Sequence, residues 1–232
     1  MKQKLKREIG PILLLCYGLG NILGAGIYVL IGEIASISGY FSVISFAIAC
    51  LVALFTAFSY MELAARFPLS AGEAVYVQQG FNIQYLSIAT GLFIVFSGLI
   101  SASALVHGFV GYLNEFILIE PKIAIILIVM ILSIICILGI KLSIMSIAIV
   151  TFIEIFGLLM IIYLGFDNII SPKIPYKEFI PDWTMNNVSI IFLGSFMAFY
   201  AFVGFEDMVN VAEEVKEPSK NFPIAILLAV II

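Results

Sequence analysis

Charged residues are scarce in this chain of 232 residues, of which Asp, Glu, Lys and Arg together make up 11%. Soluble domains carry about 25% charged residues, so this scarcity excludes an ordinary soluble protein. Hydrophobic residues make up 63% of the chain. They lie in runs that are too long for β-strands and lack the two-residue alternation of a transmembrane barrel. The composition therefore predicts an all-α integral membrane protein.

Histidine and cysteine are also scarce, with one histidine and three cysteines in the chain. Cys16, Cys50 and Cys136 lie far apart inside apolar runs. They lack metal-binding or redox spacing, and we expect them to be small buried hydrophobic residues. An intramembrane enzyme would need a nucleophile with a base, or a set of metal ligands, which one histidine does not supply. We therefore expect no catalytic residue, no metal and no cofactor, and no feature indicates a nucleic-acid partner.

The long apolar runs divide the chain into seven candidate transmembrane segments. They are predicted at residues 9–33, 40–63, 82–112, 122–140, 143–165, 186–209 and from 222 onward. Residues 1–8 form a polar N-terminus, and the run behind them is too long for a signal peptide and lacks a small-residue cleavage site. Residues 166–185 are polar and contain prolines, which indicates a surface loop. Loops are also predicted at residues 66–76 and 213–220.

The seventh segment is short. Residues Pro223 to Ile232 supply about 10 apolar residues, whereas a span needs ~20. We therefore expect this chain to be the N-terminal part of a longer protein.

Basic residues are distributed unequally between the two sides of the predicted membrane. If the N-terminus is cytoplasmic, eight basic residues lie inside and three outside. The inner set is Lys2, Lys4, Lys6, Arg7, Arg66, Lys141, Lys216 and Lys220, and the outer set is Lys122, Lys173 and Lys177. This bias is the one that the positive-inside rule expects, so it predicts a cytoplasmic N-terminus and an extracytoplasmic loop at residues 166–185.

The first segment contains an unusual density of glycine, with Gly18, Gly20, Gly24 and Gly26 in its interior. Each glycine costs a helix roughly 0.5–1 kcal/mol relative to alanine, so a simple anchor would avoid them. Two interpretations remain open. The glycines form a packing face for a neighbouring helix, or the backbone leaves the helix at residues 24–26 and its free N–H groups attract an anion.

The sixth segment offers a second candidate interruption at Gly204, which lies in the aromatic-rich run Phe199-Tyr-Ala-Phe-Val-Gly-Phe. The aromatic side chains suit either ordinary packing or the walls of a substrate pocket. Glu206 and Asp207 follow directly. Carboxylates at membrane depth are functional unless they reach an interface, and both placements remain open here.

Glu154 lies near the middle of the fifth segment, with no basic residue one helical turn away. A charged carboxylate alone at this depth is costly, so it is expected to be protonated, to hold a cation or to make a structural hydrogen bond. His107 lies beside a stripe of small residues on the third segment. For this histidine we favour a helix–helix contact over a proton relay.

Four motifs resemble those of the amino acid–polyamine–organocation transporters. Gly24-Ala-Gly-Ile-Tyr28 resembles the interruption in their first helix, and Phe199-Tyr-Ala-Phe-Val-Gly-Phe-Glu206 is similar to the one in their sixth helix. Tyr60-Met-Glu-Leu-Ala-Ala-Arg-Phe-Pro68 looks like the signature after their second helix. Glu213-Glu-Val-Lys-Glu-Pro-Ser-Lys-Asn-Phe-Pro223 matches their charged loop. The motifs occur in the family's order and cover nearly the whole chain.

The resemblance implies a five-plus-five inverted repeat of the leucine-transporter type, with helices one and six broken around the substrate. Residues 9–165 would form the first five-helix repeat, and residues 186–232 the start of the second. The family's binding residues fall on Ile22, Gly24, Ala25 and Gly26 for the substrate carboxylate, on Tyr200, Ala201 and Val203 for its amine, and on Phe205 for a gate.

The family also suggests a role for Glu154. In proton-coupled relatives of the cationic amino acid branch, a lysine stands at the position that falls on Glu154 here. A carboxylate at this position leaves the coupling ion open between a proton and sodium.

We therefore predict a secondary active transporter of amino acids or related amines in the plasma membrane. It would work by alternating access, as a symporter or an exchanger. The alternative is a truncated, non-transporting remnant with a structural or regulatory role.

Overall fold

The computed structural model describes residues 6–170 and 175–232, without the side chains of Ala25 and of residues 168–170. Lys2, Lys4 and Lys173, which contribute to the predicted orientation, lie outside the described residues. The chain folds into helices α1 Pro11–Tyr28, α2 Leu30–Ser38, α3 Ser42–Arg66, α4 Gly72–Phe81, α5 Gln84–Phe116, α6 Pro121–Ile137, α7 Ile140–Ile170, α8 Met185–Phe202 and α9 Pro218–Ile231. Short 3₁₀ helices occupy Gly39–Phe41, Tyr176–Phe179 and Glu206–Glu214.

Long apolar helices dominate the described part of the chain. Five stretches are long and apolar enough to cross a membrane, namely Pro11–Tyr28, Leu30–Arg66, Gln84–Phe116, Ile140–Asp167 and Met185–Glu214. Pro121–Ile137 and Pro218–Ile231 are shorter apolar helices. Large side chains such as Phe93, Phe156 and Phe196 are at least 70% exposed on these helices, as expected for surfaces that face lipid. The described part of the chain is thus all-helical, and its long apolar helices are typical of a multi-pass membrane protein.

The core lies among α1, α3, α8 and α9. Ala49, Ala53 and Ala57 recur every four residues along one face of α3 and are at most 1% exposed. Their small side chains let α8 and α9 approach this face closely, which is how helices associate in lipid. Helix α7 packs against α1, whereas α5 packs mainly against α4 and α6 at the periphery.

Helix boundaries differ from the predicted ones, among them those of α4, α7 and α9. Residues 72–81 form helix α4, although part of this region was expected to be a loop. This polar helix ends at Asn82, whose left-handed conformation (φ 53°) provides the cap. Helix α7 continues to Ile170, beyond the predicted end at residue 165. Helix α9 begins at Pro218 rather than near residue 222, because proline suits the first helical turn.

The long apolar stretches Pro11–Tyr28 and Met185–Glu214 each have non-helical backbone inside them. In α1, Gly24 has a non-helical conformation (φ −45°, ψ −119°), and the helix ends four residues later at Tyr28. Helix α8 ends at Phe202, Val203 is extended, and Gly204 has φ +136°, a value that glycine tolerates and other residues rarely adopt. The chain then continues as the 3₁₀ helix Glu206–Glu214.

The start of α1 and the end of this 3₁₀ helix are joined by a short parallel bridge between Ile9 and Val215. The Ile9 amide donates to the Glu214 carbonyl at 3.0 Å, and the Lys216 amide donates to the Ile9 carbonyl at 2.9 Å. Ile9 and Val215 are both buried. The bridge therefore ties the start of α1 to the end of the 3₁₀ helix Glu206–Glu214.

Candidate substrate cavity between the interrupted helices

Two glycines let the interrupted segments of α1 and α8 touch through their backbones. A β-carbon on Gly26 would lie 2.7 Å from the carbonyl oxygen of Ala201. A β-carbon on Gly204 would lie 2.7 Å from the carbonyl oxygen of Asn21. Real β-carbons do not approach backbone atoms this closely, so glycine is required at both crossing points.

The glycines of α1 have different environments, which separates the two interpretations that the sequence left open. A β-carbon on Gly18 would lie 2.5 Å from the Met208 sulfur, and one on Gly20 would overlap the Thr151 hydroxyl. These two glycines serve close packing. A β-carbon on Gly24 would meet only the Glu154 Oε1 atom, at 3.9 Å. Gly24 therefore borders open space rather than a packed neighbour.

That open space consists of two adjoining cavities that share Gly24, Leu105 and Tyr200. The first, here called the glycine cavity, has a volume of about 260 Å³. It is lined by Gly20, Asn21, Gly24, Gly26, Ser101, Leu105, Tyr200, Val203, Gly204 and Asp207. The second, here called the glutamate cavity, has a volume of about 310 Å³. It is lined by Gly24, Tyr28, Val29, Leu30, Ala104, Leu105, Gly108, Phe109, Tyr112, Glu154 and Tyr200.

The glycine cavity combines non-helical backbone with polar side chains. The hydroxyl groups of Ser101 and Tyr200 are 3.3 Å apart, which connects α5 with α8 across the cavity. Asp207 supplies a carboxylate whose Oδ1 accepts a hydrogen bond of 3.2 Å from the side-chain amide of Asn210. Backbone amides can bind an anion, and backbone carbonyls with a carboxylate can bind a cation. The Asp207 carboxylate is thus a candidate partner for a cation in this cavity.

The glutamate cavity is mostly apolar and aromatic, and Glu154 is its one carboxylate among the lining residues. Glu154 is partly buried. Within residues 6–170 and 175–232, its buried Oε2 atom has no hydrogen-bond partner. The structural hydrogen bond that the sequence left open is therefore absent from this oxygen. An unpaired carboxylate in such surroundings favours a bound proton or cation.

The predicted site residues do not all lie around the same cavity. Gly24, Gly26, Tyr200 and Val203 line the glycine cavity, and Glu154 lines the adjoining one. The two cavities thus bring these five residues together.

Ile22 and Ala201 are buried and line a different cavity, which is also lined by Ala229. Any contact that they make with a ligand in the glycine cavity would have to use backbone atoms. The side chain of Ala25 lies outside what the structure describes. Phe205 is 3% exposed and lines none of the three cavities. Its ring packs edge-to-face against Tyr60 with centroids 5.6 Å apart, so its predicted role as a gate stays a prediction.

Glu206 belongs to the interruption itself. Its Oε2 atom accepts a hydrogen bond of 2.7 Å from the Gly204 amide, which the end of α8 leaves without a helical partner. The carboxylate of Glu206 thus has a structural role at the interruption.

Near Glu206, two tyrosines lie close to the carboxylate of Glu73. The Tyr60 hydroxyl donates a hydrogen bond to Glu73 at 2.8 Å. Burial raises the pKa of the Tyr76 hydroxyl on α4, and the negative charge of Glu73 raises it further.

Several cavity residues were not predicted from sequence. Asn21 was detectable, because it is a polar residue inside an apolar segment. Ser101 was noticed only as part of a small-residue stripe, and nothing in the sequence distinguished Tyr112. The Nδ1 atom of His107 lies 2.7 Å from the Ser103 carbonyl of its own helix, and the expected helix–helix contact of this residue stays a prediction.

The fold and these cavities define a class of protein. It is a multi-pass membrane protein in which two apolar segments with non-helical backbone contact each other and border two adjoining cavities. The interruption of each helix lies at the wall of the glycine cavity.

Comparison with known proteins identifies the family. The chain matches the family "Amino acid permease" over residues 9–232, and it belongs to this family. It is 30% identical to the vacuolar cationic amino acid transporter 4 of Arabidopsis thaliana over 99% of this chain, and 32% identical to the vacuolar cationic amino acid transporter 2 of that plant over 94%. It is 27% identical to the branched-chain amino acid permease BcaP of Bacillus subtilis (strain 168) over 100% of this chain.

The chain spans about half of the length of these relatives or less. The matches cover 41% and 37% of the two plant proteins and 53% of the bacterial one. The family confirms the resemblance to amino acid–polyamine–organocation transporters. These relatives are named as transporters and permeases.

Proposed function

We propose that the protein is a secondary active transporter of amino acids or related amines that works by alternating access. The observation that carries this proposal is the glycine cavity, where the two interrupted helices place backbone groups and the Asp207 carboxylate around one space. A volume of about 260 Å³, extended by the adjoining cavity, suits a small zwitterion. Membership of the amino acid permease family supports the same class of substrate.

The proposed architecture is the N-terminal part of a leucine-transporter-type inverted repeat. In it, α1 and α2 form the first broken helix, and α8 with the 3₁₀ helix after it forms the sixth. Residues 9–165 are the first repeat, residues 166–185 an extracytoplasmic loop and residues 186–232 the start of the second repeat. We place residues 1–8 in the cytoplasm on the distribution of basic residues. The plasma membrane is the proposed location of the protein.

Substrate recognition is proposed to use backbone groups rather than side chains. The substrate carboxylate binds to the α1 backbone at Ile22, Gly24, Ala25 and Gly26. Its amine binds to carbonyl groups of Tyr200, Ala201 and Val203. The exposure of Gly24, Gly26, Tyr200 and Val203 to one cavity supports this assignment. Phe205 closes over the substrate in another state of the transport cycle.

Glu154 is proposed to couple transport to an ion. Its unpartnered Oε2 atom and its place at the wall of a cavity that adjoins the glycine cavity support this role. A proton or a sodium ion could neutralise the carboxylate. Because Gly24 borders both cavities, ion occupancy at Glu154 and substrate occupancy at Gly24 would influence each other through a shared wall.

The test is uptake of a panel of labelled amino acids and amines into proteoliposomes that contain the whole protein. The pH gradient and the sodium gradient are varied separately, and protein-free liposomes provide the background. We expect saturable uptake of at least one amino acid or amine that depends on one gradient or on a counter-substrate inside. Uptake no greater than in protein-free liposomes for every compound would contradict the proposal.

A further inference from the structure

The junction between α1 and α2 is held by hydroxyl groups from two tyrosines. Tyr28 is the last residue of α1, and carbonyl groups at a helix end lack intrahelical amide partners. The Tyr112 hydroxyl from α5 donates a hydrogen bond of 3.0 Å to the Tyr28 carbonyl. In a bilayer no water replaces a lost partner for this carbonyl, so the contact from α5 stabilises the junction.

Tyr28 also reaches in the opposite direction. Its own hydroxyl donates a hydrogen bond of 2.7 Å to the backbone carbonyl of Glu154 on α7. The site has room for this hydroxyl because residue 157 is glycine, and a β-carbon on Gly157 would lie 3.0 Å from the Tyr28 oxygen. One residue at the junction is therefore tied to α5 on one side and to α7 on the other.

These two bonds lie at the wall of the glutamate cavity. Tyr28, Tyr112 and Glu154 all line it, together with Val29 and Leu30 from the junction. Helix α5 packs mainly against α4 and α6, so the Tyr112 bond is an unusual connection between this peripheral helix and the central helix α1. Movement of the junction away from α5 or α7 would break one of the bonds and widen the cavity.

We propose that Tyr28 and Tyr112 form a latch that holds the α1–α2 junction against α5 and α7 and keeps the glutamate cavity closed on that side. Release of the latch opens the cavity to ligands. Both residues are positioning residues, since they act on the junction and not on a bound molecule. The role of the latch in transport rests on the proposed function, whereas its effect on access to the cavity is measurable without transport.

The test uses the whole protein in proteoliposomes with Cys16, Cys50 and Cys136 replaced by alanine. Gly108→Cys places a single, partly buried thiol at the wall of the glutamate cavity, where its β-carbon would lie 4.0 Å from Val29 of the junction. The rate at which a membrane-impermeant methanethiosulfonate reagent modifies this thiol reports access to the cavity without substrate. We expect Tyr28→Phe and Tyr112→Phe each to raise the rate about two- to tenfold, as the loss of one net hydrogen bond implies. Gly157→Ala should act in the same direction, because its methyl group displaces the Tyr28 hydroxyl.

Two matched controls remove a tyrosine hydroxyl elsewhere on the same helices. Tyr85 on α5 is 87% exposed and Tyr163 on α7 is 80% exposed, so Tyr85→Phe and Tyr163→Phe should leave the rate unchanged. Unchanged modification in both Tyr28→Phe and Tyr112→Phe would overturn the latch, and so would an equal increase in the controls. Thermal unfolding of each variant verifies that the fold is retained. Absence of uptake by the wild-type protein would contradict the transport proposal and leave the labelling result to decide the latch.

Discussion

Gly26 of α1 lies directly against Ala201 of α8, so that a β-carbon on Gly26 would be 2.7 Å from the Ala201 carbonyl oxygen and 2.9 Å from its α-carbon. This contact gives Gly26 a packing role in addition to its place at the cavity wall. A substitution at Gly26 would therefore separate two helices before it affects a ligand. Gly24, two residues earlier, has open space around its α-carbon and offers a cleaner test of binding.

The first prediction compares these two glycines. Gly26→Ala should destabilise the protein by about 1–3 kcal/mol, because the added methyl group overpacks the contact with Ala201. Gly24→Val should reduce substrate affinity at least tenfold, because its side chain extends into the space that the two cavities share. Thermal unfolding and equilibrium binding of a labelled substrate measure the two effects. Unchanged affinity in Gly24→Val would place the substrate elsewhere.

The second prediction concerns Glu154 as the coupling residue. Glu154→Gln imitates the protonated side chain and removes its exchangeable charge. We expect this variant to fold and to exchange substrate, yet to lose accumulation driven by a pH or sodium gradient. If the coupling ion is a proton, wild-type uptake depends on pH and not on sodium, and sodium coupling predicts the reverse.

Glu33→Gln provides the matched control for this experiment, because Glu33 is an exposed glutamate on α2. This variant should accumulate substrate like the wild type. Gradient-driven accumulation by Glu154→Gln at the wild-type level would reduce Glu154 to a structural role.

The third prediction separates packing from gating at Phe205. The side chain is 3% exposed and contacts Tyr60, so Phe205→Ala should cost about 3–5 kcal/mol of unfolding free energy. Phe205→Leu retains most of the apolar volume and should remain folded. If the ring covers the substrate during the cycle, the leucine variant binds substrate more weakly than the wild type. Phe93→Leu, at a position that is 74% exposed, is the control. Wild-type binding and transport kinetics in Phe205→Leu would exclude a gate.

The fourth prediction concerns Glu206, which holds the Gly204 amide at the interruption after α8. Glu206→Ala leaves this amide without its acceptor and should cost about 1–3 kcal/mol. Glu206→Gln keeps an oxygen acceptor and should recover most of the stability. Glu178→Ala, at an exposed position in the loop before α8, should have no comparable effect. Equal thermal stability of Glu206→Ala and the wild type would show that the hydrogen bond does not support the interruption.

The sequence alone determined the class of protein and its family. Apolar runs of about 20 residues can only be satisfied as helices in a bilayer, because each backbone polar group must bond within its own segment. The helices therefore follow from local composition, and the structure confirms a helical membrane protein. The four motifs indicated the family because each is contiguous and together they follow the family's order along the chain. The family match over residues 9–232 confirms this resemblance.

Only the tertiary structure decided what each residue of those motifs does. Gly24 and Gly26 are indistinguishable by type, yet one borders a cavity and the other contacts the backbone of Ala201. Tyr112 bonds to Tyr28, which is 84 residues away in the chain. Such contacts depend on how distant helices cross, and helix crossing is set by packing over many residues rather than by the spacing within one motif. The fold class is a local property of this sequence, whereas the site is a property of its long-range contacts.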